Sequence, residues 1–222
     1  MRLKNTAYNK IETIIFDFGN VLLDIDISLT VDAFRKMGID KFDERDIHPN
    51  NIGIFHDMEI GKASKEDFLA QMRSMSSRSE EIADQQIIDV WNRLILPFDY
   101  TKFELLDKLA KKYNVILLSN TNKLHHDFFE HKFDCENPFG RPFKSFFDQV
   151  FYSDEMKLRK PEREIYEVVQ ETAKFDPQRT LFIDDNAPNL VEPAKMGWMV
   201  HNLVRPETVF DLFVEEDTRE MS

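Results

Sequence analysis

The chain has almost no cysteine: Cys135 stands alone among 222 residues. One thiol excludes an intramolecular disulfide and suits a reducing compartment. Long apolar runs are missing as well. The polar stretch Met1 to Lys10 leads into an apolar patch that Glu12 interrupts and Asp17 ends, too short for a signal segment. No run approaches the length of a membrane span, so a cytoplasmic protein without a membrane partner is expected. Basic charge is also scarce. Lys and Arg number 29 against 41 Asp and Glu, a formal charge of −12. That balance lacks the footprint of a nucleic-acid binder and disfavours anionic lipid surfaces. It also means that any site for a phosphate must be locally positive against an adverse background. Repeats and low-complexity tracts are absent from the sequence.

Apolar residues make up 42% of the chain and include 20 Phe, enough for a sizeable core. The length allows one domain with an insertion, or two modest domains. Short apolar runs end in polar or Gly-containing turns: Thr13–Phe16, Val115–Leu118, Gln149–Tyr152, Leu181–Ile183 and the weaker Met199–Leu203. Runs without alternation suit strands buried on both faces. Helical patterns lie between the later runs. Phe103, Leu106, Ala110 and Tyr113 follow a capping-box signature at Thr101 and Glu104. Ile165, Tyr166 and Val169 follow Pro161, read as a helix N1 proline. Strand–helix alternation predicts an α/β fold with a parallel, Rossmann-like sheet.

The stretch from about Ile27 to Leu96 breaks that rhythm. Phe68, Met72 and Met75 follow a cap-like start, Ser64 to Asp67, and Ile87, Ile88, Trp91, Leu94 and Ile95 form an amphipathic stripe. This predicts a helical module over 27–96, inserted into a core domain formed by 1–26 and 97–222. Gly61 reads as the residue that ends a helix between two helices of the module.

In an open parallel sheet, ligands sit beyond the carboxyl ends of the strands. Four such ends carry suggestive groups: Asp17, Ser119 with Asn120, Lys160 shortly after the third run, and the pair Asp184 and Asp185. Carboxylates brought together repel one another and shift upward. A divalent ion such as Mg²⁺ removes that difficulty, because these are hard oxygen ligands. The ion also gives an acidic protein a positive spot for phosphate, to which Lys160 adds charge and Ser119 adds a donor. A carboxylate beside such a clamp is a candidate nucleophile.

These motifs resemble those of the haloacid dehalogenase superfamily. They are the run Phe16 to Val21, the run Leu117 to Thr121, Lys160-Pro161 followed by Glu162 to Tyr166, and Phe182 to Asn186 with Asn189 after it. Each is weak alone, but four in order at strand ends are specific. The resemblance implies that Asp17 is nucleophile and metal ligand, and that Gly19 offers its carbonyl to Mg²⁺. Ser119, Asn120 and Lys160 would hold the phosphoryl group, and Asp185 with Asp184 would complete the metal site. It also implies a helical cap of the C1 type, with Glu59-Ile60-Gly61 in the cap loop that lines the active site. One position departs from the family's phosphatases: the general acid expected two residues after the nucleophile is Gly19. A leaving group that needs little protonation, a proton from Asp24 or a cap residue, or weak activity would each answer it. The run Asp17 to Val21 resembles bacterial sugar phosphatases, notably glucose-1-phosphate phosphatases. A phosphomonoesterase acting on a small soluble phosphate ester is therefore expected. The alternatives are a metal-independent haloacid dehalogenase, whose fourth motif lacks the adjacent acidic pair, and an inactive module that binds a phosphate ligand. His125, His126, His131 and Cys135 fit no standard zinc spacing, and Glu215 to Asp217 read as a solvated tail.

Overall fold

The computed structural model describes residues 1–46, 52–77 and 82–215. Its centre is a five-stranded parallel sheet made of β2 (Thr13–Phe16), β3 (Asn114–Ser119), β4 (Gln149–Tyr152), β5 (Thr180–Asp184) and β6 (Met199–Asn202). The strands lie in the order β4-β3-β2-β5-β6. Phe16 at the end of β2 is level with Leu117 of β3 and Ile183 of β5. The chain builds outward from β2 on one side, then returns to build on the other. The switch therefore falls at β2, where a crevice opens beyond the strand ends.

The sheet is apolar on both faces, as non-alternating runs require. Ile14, Phe16, Val115, Leu117, Leu181 and Ile183 point to a Phe-rich layer supplied by α5 (Tyr100–Leu109) and α6 (Lys123–Glu136). There Phe103 and Phe133 meet at 4.5 Å between ring centres. The alternate residues Ile15, Ile116, Leu118 and Phe182 face Ile165, Tyr166 and Val169 of α8 (Arg163–Ala173). The short helices α7 (Ser153–Met156) and α9 (Val191–Lys195) close the loops after β4 and β5. The chain ends meet in a strand pair that the polar N-terminal sequence did not announce. There β1 (Arg2–Leu3) runs antiparallel to β7 (Phe213–Val214).

Between β2 and β3 lie α1 (Ile27–Met37), α2 (Ile54–Glu59), α3 (Lys65–Ser74) and α4 (Asp84–Trp91). They share a separate aromatic cluster in which Trp91 lies 5.1 Å from both Phe55 and Phe68. The connections that join them to the sheet run side by side. The Asp26 amide donates to Leu94 O at 2.8 Å and the Leu96 amide to Asp24 O at 3.2 Å. Ser64 and Asp67 form the capping box expected of α3. Two helix starts differ from expectation. Asp99, not Thr101, caps α5: its carboxylate accepts from the Thr101 amide at 3.0 Å. Pro161 lies outside α8, whose N-cap is Glu162.

Gly61 ends the turn after α2 with φ +61°, and a Cβ there would lie 2.3 Å from the carbonyl oxygen of Asp154 in α7. The turn therefore seats directly on the core backbone. Gly61→Ala meets both the left-handed penalty and this clash. We expect it to lower stability by about 1–3 kcal/mol, read as a lower midpoint in urea unfolding. Among the described residues no helix is long and apolar enough to cross a membrane.

Candidate active site

Asp17 follows β2 directly, and its amide donates to Ile183 O at 2.9 Å. Asp184 closes β5, the neighbouring strand. The two carboxylates are thus set side by side by sheet register alone. Lys160 bridges them. Its ammonium donates to Asp17 Oδ1 and Asp184 Oδ2, both at 2.7 Å, and to Leu118 O at 3.0 Å. These bonds use all three of its N–H donors. The side chain has no solvent exposure. Burial pushes its amine down, but the two carboxylates outweigh burial and hold it above the ordinary lysine range.

Asn120 sets the position of Lys160. Its side-chain amide donates to Lys160 O and accepts from the Lys160 amide, both at 2.9 Å. Ser119 Oγ makes only a long 3.4 Å bond to Asn120 O, which leaves the hydroxyl available to a ligand. Ser153 of α7 fixes the backbone of this loop, accepting from the Thr121 amide at 2.9 Å.

Asp184 is fully engaged. Besides Lys160, it accepts from the Asn186 amide at 2.8 Å and from Asn189 Nδ2 at 3.1 Å on each oxygen. Asp185 accepts from Asn20 Nδ2 at 3.1 Å. Asn20 can reach it because its backbone is left-handed, φ 56°, a conformation asparagine tolerates. Burial pushes the Asp17 carboxyl up to about 7, with Lys160 opposing and Asp184 and Asp185 reinforcing the rise. Burial also raises Asp185.

The ligand atoms of Asp17, Asp184 and Asp185 lie within 4.8 Å of one another. Three carboxylates face one ammonium, an excess of negative charge in a largely buried place. That donor set fits a hard divalent cation such as Mg²⁺. Asp185 has an oxygen to spare, whereas Asp184 has its oxygens committed to orienting bonds.

Beside these strand ends a cavity of about 250 Å³ lies between the sheet and helices α1, α2 and α4. Gly19, Ser119 and Asn120 line its core side; Phe55, His56, Glu59 and Trp91 line the other. Arg159 contributes as well, and its guanidinium pairs with Glu59 at 3.0 Å. Sequence reasoning missed Arg159 and His125. The one signal for Arg159 was its place beside Lys160. His125 stacks on Trp91 at 4.7 Å, and burial holds its pKa down at about 3. The other members of the histidine group part company: His126 pairs with Asp154 at 3.1 Å, while His131 lies 3.8 Å from the exposed Cys135.

Asp24 does not reach the site as a free acid. Lys102 and Arg205 hold it at 3.5 and 2.9 Å, anchoring the connection to α1. Asp24→Asn should keep kcat within about threefold of the native value; a loss of about 10²-fold or more in kcat would restore its claim to a proton role. Asp26 caps α1 through the Ser28 amide. Glu215 pairs with Lys108 at 2.8 Å, and Glu216 and Asp217 lie outside the described residues.

Residues 11–195 match the model of the haloacid dehalogenase-like hydrolases. The chain belongs to that family. A curated relative is the D-ribitol-5-phosphate phosphatase of Bacteroides thetaiotaomicron, 31% identical over 191 residues that cover 85% of this chain and 89% of the relative. A crystal structure of a haloacid dehalogenase family enzyme from the same species, in complex with magnesium and inorganic phosphate, superposes with a TM-score of 0.80. It is 32% identical and covers 92% of this chain and all of that one. A predicted family hydrolase from Porphyromonas gingivalis gives a TM-score of 0.77 at 30% identity, covering 86% of this chain and 90% of that one. The first, second and fourth of this chain's motifs lie at the ends of β2, β3 and β5, and the third follows α7 and leads into α8.

Proposed function

We propose that the protein is a Mg²⁺-dependent phosphomonoesterase acting on a small soluble sugar or polyol phosphate. The observation that carries this reading is the buried ammonium of Lys160 held between Asp17 and Asp184, with Asp185 beside them and a cavity adjoining. The acidic pair weighs against a metal-independent dehalogenase, in which no cation is needed. The relative named for D-ribitol 5-phosphate supports a polyol phosphate as substrate.

In this reading residues 27–96 form a cap over a core of 1–26 and 97–222. Asp17, Asp185 and the Gly19 carbonyl would hold Mg²⁺, with Asp184 in support. Bound there, the ion supplies positive charge for the transferring phosphoryl oxygens. Lys160 orients the Asp17 carboxylate and opposes the effect of burial, favouring the ionised form that attacks phosphorus. The Ser119 hydroxyl donates to a phosphoryl oxygen. Attack forms an aspartyl-phosphate as the alcohol leaves, and water then hydrolyses it. Asn120 acts through Lys160, fixing the backbone from which the ammonium reaches both carboxylates.

The test is phosphate release from a panel of small esters, including D-ribitol 5-phosphate and glucose 1-phosphate, with Mg²⁺ and with EDTA. We expect turnover on a polyol or sugar phosphate that EDTA abolishes. Release of halide from a 2-haloacid in EDTA, without phosphate release from any ester, would overturn the reading.

A further inference from the structure

We propose that Glu59, at the end of α2, is the group that exchanges the proton with the ester oxygen, the task for which Gly19 has no side chain. This rests on the phosphatase reading above. The geometry starts from the cavity, whose protonatable lining groups are Asp46, His56, Glu59 and His125. His125 is held neutral by burial, stacked on Trp91 and bonded through Nδ1 to Asn92 Oδ1 at 2.8 Å. Asp46 accepts from the Asp43 amide at 2.8 Å, closing a local turn. His56 carries Asp57 on Nδ1 at 3.3 Å.

Glu59 differs in being tied to the reacting carboxylate from across the cavity. Arg159 Nη2 donates to its Oε2 at 3.0 Å, and the Arg159 side chain is only 6% exposed. Arg159 directly precedes Lys160, whose ammonium touches Asp17. Two residues on, the Gly61 turn rests on the Asp154 carbonyl, so the carboxylate is pinned to the core on both sides. Oε1 has no hydrogen-bond partner among the described residues, which leaves it for a proton and a ligand oxygen.

Burial raises the Glu59 carboxyl, against the pull of Arg159, His56 and Lys160. A proton is thus retained closer to neutral pH, where an acid is of use. Of the other charged groups packed against α2, Asp154 of α7 is paired with His126, and on α3 Asp67 is held by Ser64 and Arg73 pairs with Asp84.

The proton balance is simple. As Asp17 bonds to phosphorus, the P–O ester bond breaks and the Glu59 carboxyl gives its proton to the departing alcohol oxygen. Glu59 then takes a proton from the water that attacks the aspartyl-phosphate, which breaks the Asp17–phosphorus link and releases phosphate.

The test compares two esters in Mg²⁺: D-ribitol 5-phosphate, whose alkoxide needs a proton to leave, and p-nitrophenyl phosphate, whose phenolate does not. Because kcat/KM reports the first irreversible step, it isolates the donation. Glu59→Gln keeps the side chain's shape and its bond to Arg159. It should lower kcat/KM about 10²–10⁴-fold for the alkyl ester and leave the aryl ester within about threefold. The fall of wild-type kcat/KM at high pH should also vanish for the alkyl ester in the variant. Equal losses on both esters would overturn the proposal in favour of a structural role through Arg159. A leaving-group-selective loss in His56→Asn but not in Glu59→Gln would overturn it in favour of His56. Wild-type protein that releases no phosphate from either ester or from the panel above would overturn the phosphatase reading, and this inference with it.

Discussion

Lys160→Met is expected to destabilise the metal-free protein by about 3–5 kcal/mol at pH 8. The native ammonium is fully buried and gives one N–H each to Asp17, Asp184 and the Leu118 carbonyl. Methionine has nearly the same length and fills the same channel, so little of the loss comes from packing. The cost comes from two carboxylates left buried without their counter-charge. That origin gives the effect a pH signature. Without Lys160 the Asp17 carboxyl rises further above its unfolded value. The penalty is then full at high pH and falls away as Asp17 takes a proton. Urea unfolding in EDTA should therefore show a large gap between variant and wild type at pH 8 and a smaller one at pH 5. Mg²⁺ should narrow the gap at pH 8, since a cation among Asp17, Asp184 and Asp185 replaces part of the missing charge. A loss below about 1 kcal/mol, unchanged by pH or Mg²⁺, would mean that the lysine is not the counter-ion that its position indicates.

The balance of charge at this centre also explains how much of the site was legible in the sequence. Strand-end residues were readable because a parallel sheet places the residue after each apolar run on one edge. Register then does the rest: Phe16 level with Ile183 brings Asp17 beside Asp184. The helix patterns were readable where capping chemistry is local, as at Ser64 and Asp67. They failed by a residue or two where a better cap stood nearby, as Asp99 did before Thr101. What the sequence concealed depends on contacts between distant residues. Arg159 and Glu59 are a hundred positions apart; the resemblance placed Glu59 in a loop lining the site, but nothing in the sequence pairs it with Arg159 until α2 is laid over the sheet. The pairing of Arg2–Leu3 with Phe213–Val214 escaped notice because two-residue strands carry no periodicity. Asn120 was read as a ligand to phosphate. Its side chain also bonds the backbone of Lys160, a role visible only once the loop is folded.

Asp17→Asn should do two opposite things. It should remove phosphate release, by more than about 10³-fold, because an amide cannot serve as the nucleophile. It should also make the metal-free protein more stable at neutral and alkaline pH. The second effect follows from the direction of the Asp17 shift, from an ordinary value of 3.8 to about 7. The unfolded chain ionises freely above the lower value, whereas the folded protein either keeps the proton or carries a buried charge that Lys160 only partly offsets. Folding therefore loses free energy progressively between those two pH values, and the loss is complete above the higher one. Asparagine carries no charge to bury and still accepts from Lys160, so the variant escapes the loss. Its advantage in urea should be clear at pH 8 in EDTA and should shrink towards pH 4. Mg²⁺ should reverse the order. It binds the folded wild type in proportion to its carboxylates and raises its stability by mass action, while the variant has one ligand fewer and gains less. A variant less stable than wild type at pH 8 in EDTA would show that Asp17 is ionised and well compensated by Lys160 alone. The cluster's excess negative charge, on which the cation argument rests, would then be smaller than its three carboxylates indicate.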